Sequence, residues 1–407
     1  MTFRIIAAII LLLFQWFLYV KFRAIITSKE RSPRHALTVL NSLFIAANLP
    51  LPFIAINIWH TMQLPQYVIT ILMPFFIWHV ATFFTAIVLS IGTLLALSFT
   101  LTVKAATLHP VIKSKVQTMR EKPQFQSFNA SRRSFLEKGV VGLSAYSFIG
   151  ATAGAVSSGD FEVIRKTITI PNLPEEFKGF TIGMMSDIHS SIFMNKEDMQ
   201  AYVKEMNGLK TDMIVVTGDF VNSKTEEVYP FAEAFSELKA SYGVYGCLGN
   251  HDFFAKDVER VAKEVDACGV RLLRNDAVQI TKGNSFINLL GVDDIGRNAA
   301  PDDYMNKAMA FAKNSQPKIL LCHKPYFFQH AKELDIALTL SGHTHGGQIV
   351  FGTVDRTPIS LAALASKYVS GHYTLGTSNL YVNNGIGFTG VPIRVNCPAE
   401  LTVLTLG

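Results

Sequence analysis

Cysteine is scarce and unpatterned in this chain. Its four residues, Cys247, Cys268, Cys322 and Cys397, form no C-x-x-C pair, which argues against a cysteine zinc site or a thioredoxin-type motif. Cys247 and Cys322 lie in apolar runs just before polar motifs, where buried free thiols are expected. A disulfide stays open if that part of the chain is exported. Acidic residues are nearly missing from the first part: residues 1–157 hold 3 Asp/Glu against 14 Lys/Arg, whereas residues 158–407 hold 28 against 23. The basic surplus sits between apolar runs and the second part has no basic block, so no nucleic-acid partner is expected, although a nucleotide substrate stays open. The apolar runs contain no acidic residue, which argues against a transport pathway. Internal repeats and low-complexity tracts are also lacking.

What is present early is hydrophobic length. Mean hydropathy is +0.27, high for a soluble chain, and 407 residues suffice for more than one domain. Apolar runs occupy Ile5–Val20, Ala36–Trp59 (with Pro50 and Pro52) and Val68–Val103, which predicts three membrane spans over residues 1–105. The third is read as one long tilted helix. Residues 106–138 read as a basic linker ending in Ser131-Arg132-Arg133-Ser134-Phe135-Leu136. That segment resembles a twin-arginine export signal, which makes the translocase a candidate partner. An ordinary positively flanked membrane helix is the other reading. Residues 139–157 are then a fourth span or an export signal, with Ala151–Ala155 resembling a cleavage site.

Lys/Arg bias orients the spans. Lys21, Arg23, Lys29, Arg31 and Arg34 follow the first, none lies near His60–Gln66, and seven follow the third, from Lys104 to Arg133. This predicts an inner-membrane protein whose domain over residues 158–407 is extracytoplasmic. If the fourth run does not cross, that domain is cytoplasmic.

From Ser158 onward, short apolar runs alternate with amphipathic stretches, which predicts an α/β domain. Expected strands are Phe180–Met185, Met213–Val216, Val244–Leu248, Phe286–Leu290, Ile319–Leu321, Ala337–Leu340, Leu380–Val382 and Leu401–Leu406. Expected helices are Lys196–Asn207, Val228–Leu238, Lys256–Cys268, Tyr304–Ala312 and Phe327–Leu334.

Five motifs follow apolar runs: Ser186-Asp187-Ile188-His189, Gly218-Asp219, Gly249-Asn250-His251-Asp252, Cys322-His323 and Gly342-His343-Thr344-His345. Together they read as a binuclear metal site. Two divalent ions about 3.5–4 Å apart can clamp the attacking and leaving oxygens of a phosphoryl displacement. Such a site needs a bridging carboxylate, for which Asp219 is the candidate, flanked by imidazole and oxygen ligands. Asp187, His189, Asn250, His323, His343 and His345 supply these. A nitrogen and oxygen set without thiolate suits Mn, Fe, Zn or Mg. His251 is assigned as general acid, with Asp252 orienting it and supporting its charge.

The ordered set D-x-H, G-D, G-N-H-D, H, G-H-x-H resembles the calcineurin-like metallophosphoesterases over roughly residues 160–407. That resemblance implies a two-sheet β-sandwich flanked by helices, a four-layer αββα domain behind the helical membrane region. It also implies one metal held by Asp187, His189, Asp219 and His345, and a second by Asp219, Asn250, His323 and His343. The family's second Asp in G-D-x-x-D is Asn222 here. The segment S-R-R-x-F-L and Gly342-His343-Thr344-His345-Gly346-Gly347-Gln348 are similar to membrane-anchored bacterial members. Arg394, after a late Gly-rich stretch, is a candidate contact to substrate phosphate.

The expected function is hydrolysis of a lipid-linked or envelope phosphodiester by a metal-bridging hydroxide, as a phosphodiesterase or pyrophosphatase. Alternatives are UDP-2,3-diacylglucosamine hydrolysis in lipid A biosynthesis, which some relatives perform, and a degenerate domain serving as membrane sensor or scaffold.

Overall fold

The structure, a computed structural model, describes residues 2–28, 34–52, 66–296, 300–312, 316–355 and 357–407. It divides into two compact units, Met1–Ala153 and Gly154–Gly407.

The first unit is built from the helices Thr2–Thr27, Arg34–Asn48, Gln66–Ala106, Pro110–Glu121 and Pro123–Val156. Ile5–Thr27, Tyr67–Ala106 and Pro123–Val156 are long and apolar enough to cross a membrane. The third apolar run is one continuous helix despite Pro74, as expected. The second expected span is described only to residue 52, and residues 53–59 of it lie outside the described residues. The stretch expected as a linker is instead mostly helical. Its two helices each open on a proline, Pro110 and Pro123, whose fixed φ suits a first helical turn. Arg132, Arg133 and the fourth apolar run share the helix Pro123–Val156. Buried Gln15 accepts hydrogen bonds through Oε1 from Trp78 Nε1 (2.7 Å) and Asn48 Nδ2 (2.8 Å), tying three helices together. Such interhelical bonds hold apolar helices in register where lipid offers no hydrophobic driving force.

The second unit contains strands β1 (Phe161–Ile168), β2 (Thr181–Met185), β3 (Met213–Thr217), β4 (Val244–Cys247), β5 (Arg271–Leu272), β6 (Asp276–Lys282), β7 (Ser285–Gly291), β8 (Lys318–Leu321), β9 (Leu338–Ser341), β10 (Thr353–Val354), β11 (Thr357–Pro358), β12 (Gly371–Leu375), β13 (Ser378–Val382) and β14 (Ala399–Leu406). One six-stranded sheet runs β1-β14-β2-β3-β4-β5 and the other β12-β13-β9-β8-β7-β6, with β10-β11 a separate hairpin. Strands β2, β3 and β4 are mutually parallel, as are β7, β8, β9 and β13.

Side-chain alternation along each strand builds the layers. Met213 and Val215 of β3 share an inner core with Ile319 and Leu321 of β8 and Leu338 and Leu340 of β9. Their neighbours Ile214 and Val216 face the other way, against the helices Lys196–Gly208, Val228–Phe235 and Val258–Ala267. Leu290 and Leu320 pack on the helices Pro301–Ala310 and Phe328–Glu333. Each fully buried aliphatic side chain contributes about 1.5–3 kcal/mol. The order of layers is α, β, β, α, and all four cysteines are free.

Candidate metal centre

All five motifs stand at the C-terminal ends of parallel strands. β2 leads into Asp187 and His189, β3 into Asp219, β4 into Asn250 and His251, β8 into His323, and β9 into His343 and His345. Parallel strands run out at the same edge of a sheet, which is why residues far apart in sequence meet there.

The donor atoms converge tightly. His189 Nε2 and His345 Nε2 are 3.0 Å apart, and Asp187 Oδ1 lies 3.4 Å from His345 Nε2. Asp219 Oδ2 is 3.5 Å from His189 Nε2 and 3.2 Å from His323 Nε2. The groups Asp187–His189–His345, His189–Asp219–His251 and Asp187–Asp219–His323 each have the spacing to hold a metal ion, and Asp219 Oδ2 stands between His189 and His323. The His343 ring sits 5.1 Å from that of His323. At the centre the buried Asn250 Oδ1 has no hydrogen-bond partner, and His323 Nε2 faces Asp219 Oδ2 at 3.2 Å. Lone pairs buried without donors are costly, and a cation is the ligand this donor set fits.

Backbone strain concentrates at the same place. Asp187, His189, Asp219, His343 and His345 all adopt positive φ, between 48° and 72°. Non-glycine residues rarely occupy this region except where function requires it. Space is equally tight: a Cβ on Gly342 would stand 1.8 Å from Ser186 Oγ and 2.1 Å from Asp187 Oδ2. The amide of His343 can therefore reach the Asp187 carboxylate, at 2.9 and 3.0 Å.

Burial and charge set the protonation. Burial pushes His189 and His343 down to about 3 and His345 well below its usual range, leaving neutral imidazoles with lone pairs to offer. Burial works against the Asp219 charge, but His323 and His189 outweigh it and hold this carboxyl well below the usual range. His323 is the complement: despite burial, the Asp219 carboxylate pushes it up to about 10. Its Nδ1 faces the Thr217 carbonyl at 2.8 Å. A carbonyl only accepts, so Nδ1 carries hydrogen and Nε2 is the nitrogen turned toward Asp219 at the centre.

His251 lies beside the cluster, its ring 4.5 Å from that of His189. Its Nδ1 donates to the backbone carbonyl of Asn222, which leaves Nε2 free of that bond. The side chain at position 222 thus matters less to His251 than its backbone.

Two expected roles are corrected. Asp252 does not orient His251. Its Oδ1 accepts from the amides of Phe220 and Val221, and its Oδ2 from those of Asp219 and Gly249. Both residues sit on the short helix Asn250–Phe254, where consecutive side chains do not face each other. Burial pushes the Asp252 carboxyl up to about 8. Four converging N–H donors leave no room for a carboxyl proton, however, and the geometry calls for the ionised form. Arg394 is not at the surface either: it is 2% exposed. Its guanidinium donates to the carbonyls of Asn384, Gly385, Gly387 and Cys397, so it braces the loop after β13 rather than facing substrate.

The sequence reading also missed Thr389, whose hydroxyl lies 2.6 Å from His345 Nε2. No motif marks it.

Residues 180–347 match the family described as calcineurin-like phosphoesterase. Over 255 residues the chain is 30% identical to a transmembrane protein with metallophosphoesterase domain from Danio rerio, covering 60% of this chain and 57% of that protein. Over 246 residues it is 33% identical to an uncharacterized metallophosphoesterase of Helicobacter pylori, covering 59% and 62%. Over 293 residues it is 30% identical to the uncharacterized metallophosphoesterase YkuE of Bacillus subtilis, covering 68% and 97%. The chain thus spans less than two thirds of the first two relatives.

Proposed function

This chain belongs to the calcineurin-like phosphoesterase family, and from that premise we propose that it is a membrane-anchored phosphodiesterase or pyrophosphatase using two divalent metal ions. Its substrate is a lipid-linked or envelope phosphodiester, and its domain faces outward from the cytoplasmic membrane. The observation that carries the reading is the convergence of donors from five strand ends, with Asn250 Oδ1 buried among them without a hydrogen-bond partner.

Asp187, His189, Asp219 and His345 would hold one ion, and Asp219, Asn250, His323 and His343 the other. The pair would supply electrophilic stabilisation of phosphoryl charge and a nucleophile at neutral pH. The remaining work belongs to the chain. Asp252 fixes the Asp219 loop through four backbone amides. Ser186 donates to Asp187 and steadies its carboxylate. His251, held by the Asn222 carbonyl, gives a proton from Nε2 to the departing oxygen.

The test is hydrolysis of bis(4-nitrophenyl) phosphate by the purified full chain, with metal content measured alongside. Asn250→Ala or His343→Ala retaining full activity would sink the proposal. Protease accessibility of a C-terminal tag in spheroplasts and inverted vesicles tests the compartment. Protection in spheroplasts with cleavage in inverted vesicles would favour UDP-2,3-diacylglucosamine as substrate.

A further inference from the structure

The chain leaving the metal centre carries an apolar surface that the proposed chemistry does not use. After His345-Gly346-Gly347 the backbone enters the β10–β11 hairpin, closed by Phe351 N–H to the Ile359 carbonyl (3.0 Å) and Ile359 N–H to the Gly352 carbonyl (2.8 Å). Val354, Ile359, Leu361 and Leu364 are all exposed there, Leu364 by 86%. Single exposed aliphatics are ordinary, but four within eleven residues form a patch. The hairpin packs against the segment that leaves the site: a Cβ on Gly347 would stand 2.4 Å from Ser360 Oγ. On the other flank, Phe254 is 64% exposed, with its ring 5.1 Å from that of His251. The His189 ring lies 4.5 Å from that of His251 and 4.9 Å from that of His345. Exposed apolar groups thus include one ring against His251 and a hairpin that follows His345 directly in the chain.

The chain itself indicates the occupant. Four residues, 157–160, join the helix Pro123–Val156 to β1, and an extended segment of that length reaches about 14 Å. If the helix spans a bilayer, the domain works at the bilayer surface. Between residues 349 and 367 the sequence holds one acid, Asp355, against Arg356 and Lys367, a balance compatible with anionic headgroups.

We infer that Val354, Ile359, Leu361, Leu364 and Phe254 are a bilayer-docking surface that brings the metal centre to a phosphoester carried by a lipid. This rests on the phosphoesterase reading and names how its substrate is presented. Apolar side chains enter the headgroup region while the histidines remain at the level of the phosphates.

The test uses the full chain reconstituted in phosphatidylethanolamine–phosphatidylglycerol vesicles with brominated acyl chains. Tryptophan is introduced as Leu364→Trp, with Leu361→Trp as a second position. Phe311→Trp is the exposed control outside the patch, and the emission of native Trp16, Trp59 and Trp78 is subtracted using the unaltered chain. Emission from positions 364 and 361 is expected to be blue-shifted and quenched roughly threefold more than that from position 311. Equal quenching at all three positions overturns the inference. A blue shift that resists brominated chains and grows with protein density assigns the hairpin to a second copy of the chain, which also overturns it. Hydrolysis of bis(4-nitrophenyl) phosphate by the unaltered chain in the same vesicles reports separately on the phosphoesterase reading.

Discussion

The two sheets of the sandwich contribute unlike chemistry to one site. Ends of the first sheet's strands supply both carboxylates, the amide of Asn250, His189 and the adjacent His251. Ends of the second supply imidazoles alone: His323, His343 and His345. Neither sheet carries a complete donor set, so the centre exists only while the sandwich is closed. Closure is reinforced at the site itself. His323 Nδ1 meets the Thr217 carbonyl, the His343 amide meets Asp187, and the Gly387 amide meets the Asp187 carbonyl at 2.8 Å. The first sheet brings the negative charge and the second brings only imidazoles, of which burial keeps His343 and His345 neutral, so the two losses should differ in kind.

Asp219→Asn is the strongest way to break that contrast. It removes charge from the position between the two groups of donors. Outer partners of metal ligands typically cost 10–100-fold, so this change should cost roughly 1000-fold or more. The check is hydrolysis of bis(4-nitrophenyl) phosphate together with metal content by mass spectrometry, and excess Mn2+ is not expected to restore activity. His343→Ala, on the second sheet, removes a neutral donor. Its loss should be smaller, on the order of 100-fold, and partly restored by excess metal. Equal, unrescuable losses in both variants would erase the proposed difference between the sheets.

Asp252→Asn sharpens the contrast within the first sheet, since it keeps every ligand. An amide nitrogen would face two backbone N–H donors that the carboxylate now satisfies. Unsatisfied buried donors cost about 1–3 kcal/mol each, so a loss of roughly 3 kcal/mol is expected in chemical denaturation, with activity down about tenfold. If the residue instead served only to charge His251, activity would fall while stability stayed level.

Most of this site was legible because each motif trails an apolar run, and an apolar run of four or five residues is what a buried parallel strand looks like. The central strands β2, β3, β4, β8 and β9 match their expected ranges for that reason. β1 was not expected: its residues are largely exposed on both faces, so neither alternation nor an apolar run marks it. Asp252 was misread because adjacency in sequence suggested a pair, whereas one helical step turns the two side chains apart. Arg394 was misread because its partners are carbonyls, which every residue has. The five positive-φ ligands had no signal either, since strain at a strand end is imposed by tertiary contacts rather than by residue type.

A further link between the sheets is polar. Tyr381 on β13 donates to Glu400 Oε1 on β14 at 2.7 Å, and Asn383 Nδ2 donates to Thr402 Oγ1 at 2.8 Å. Glu400 is buried, and burial raises its pKa above the ordinary 4.5 despite the donors from Thr402 and Tyr381. A carboxyl whose folded-state pKa is raised binds its proton more tightly in the folded chain. Its contribution is therefore fully present below the unfolded value and declines as pH rises from about 4.5 through the folded pKa. Tyr381→Phe should cost about 1 kcal/mol and steepen the decline, because one donor to the carboxylate is lost. Glu400→Gln should flatten it. Denaturant midpoints of all three proteins between pH 4 and pH 8 would read both effects. Parallel curves would mean that the sheets are held at this end by the apolar core alone, with the polar pair indifferent to charge.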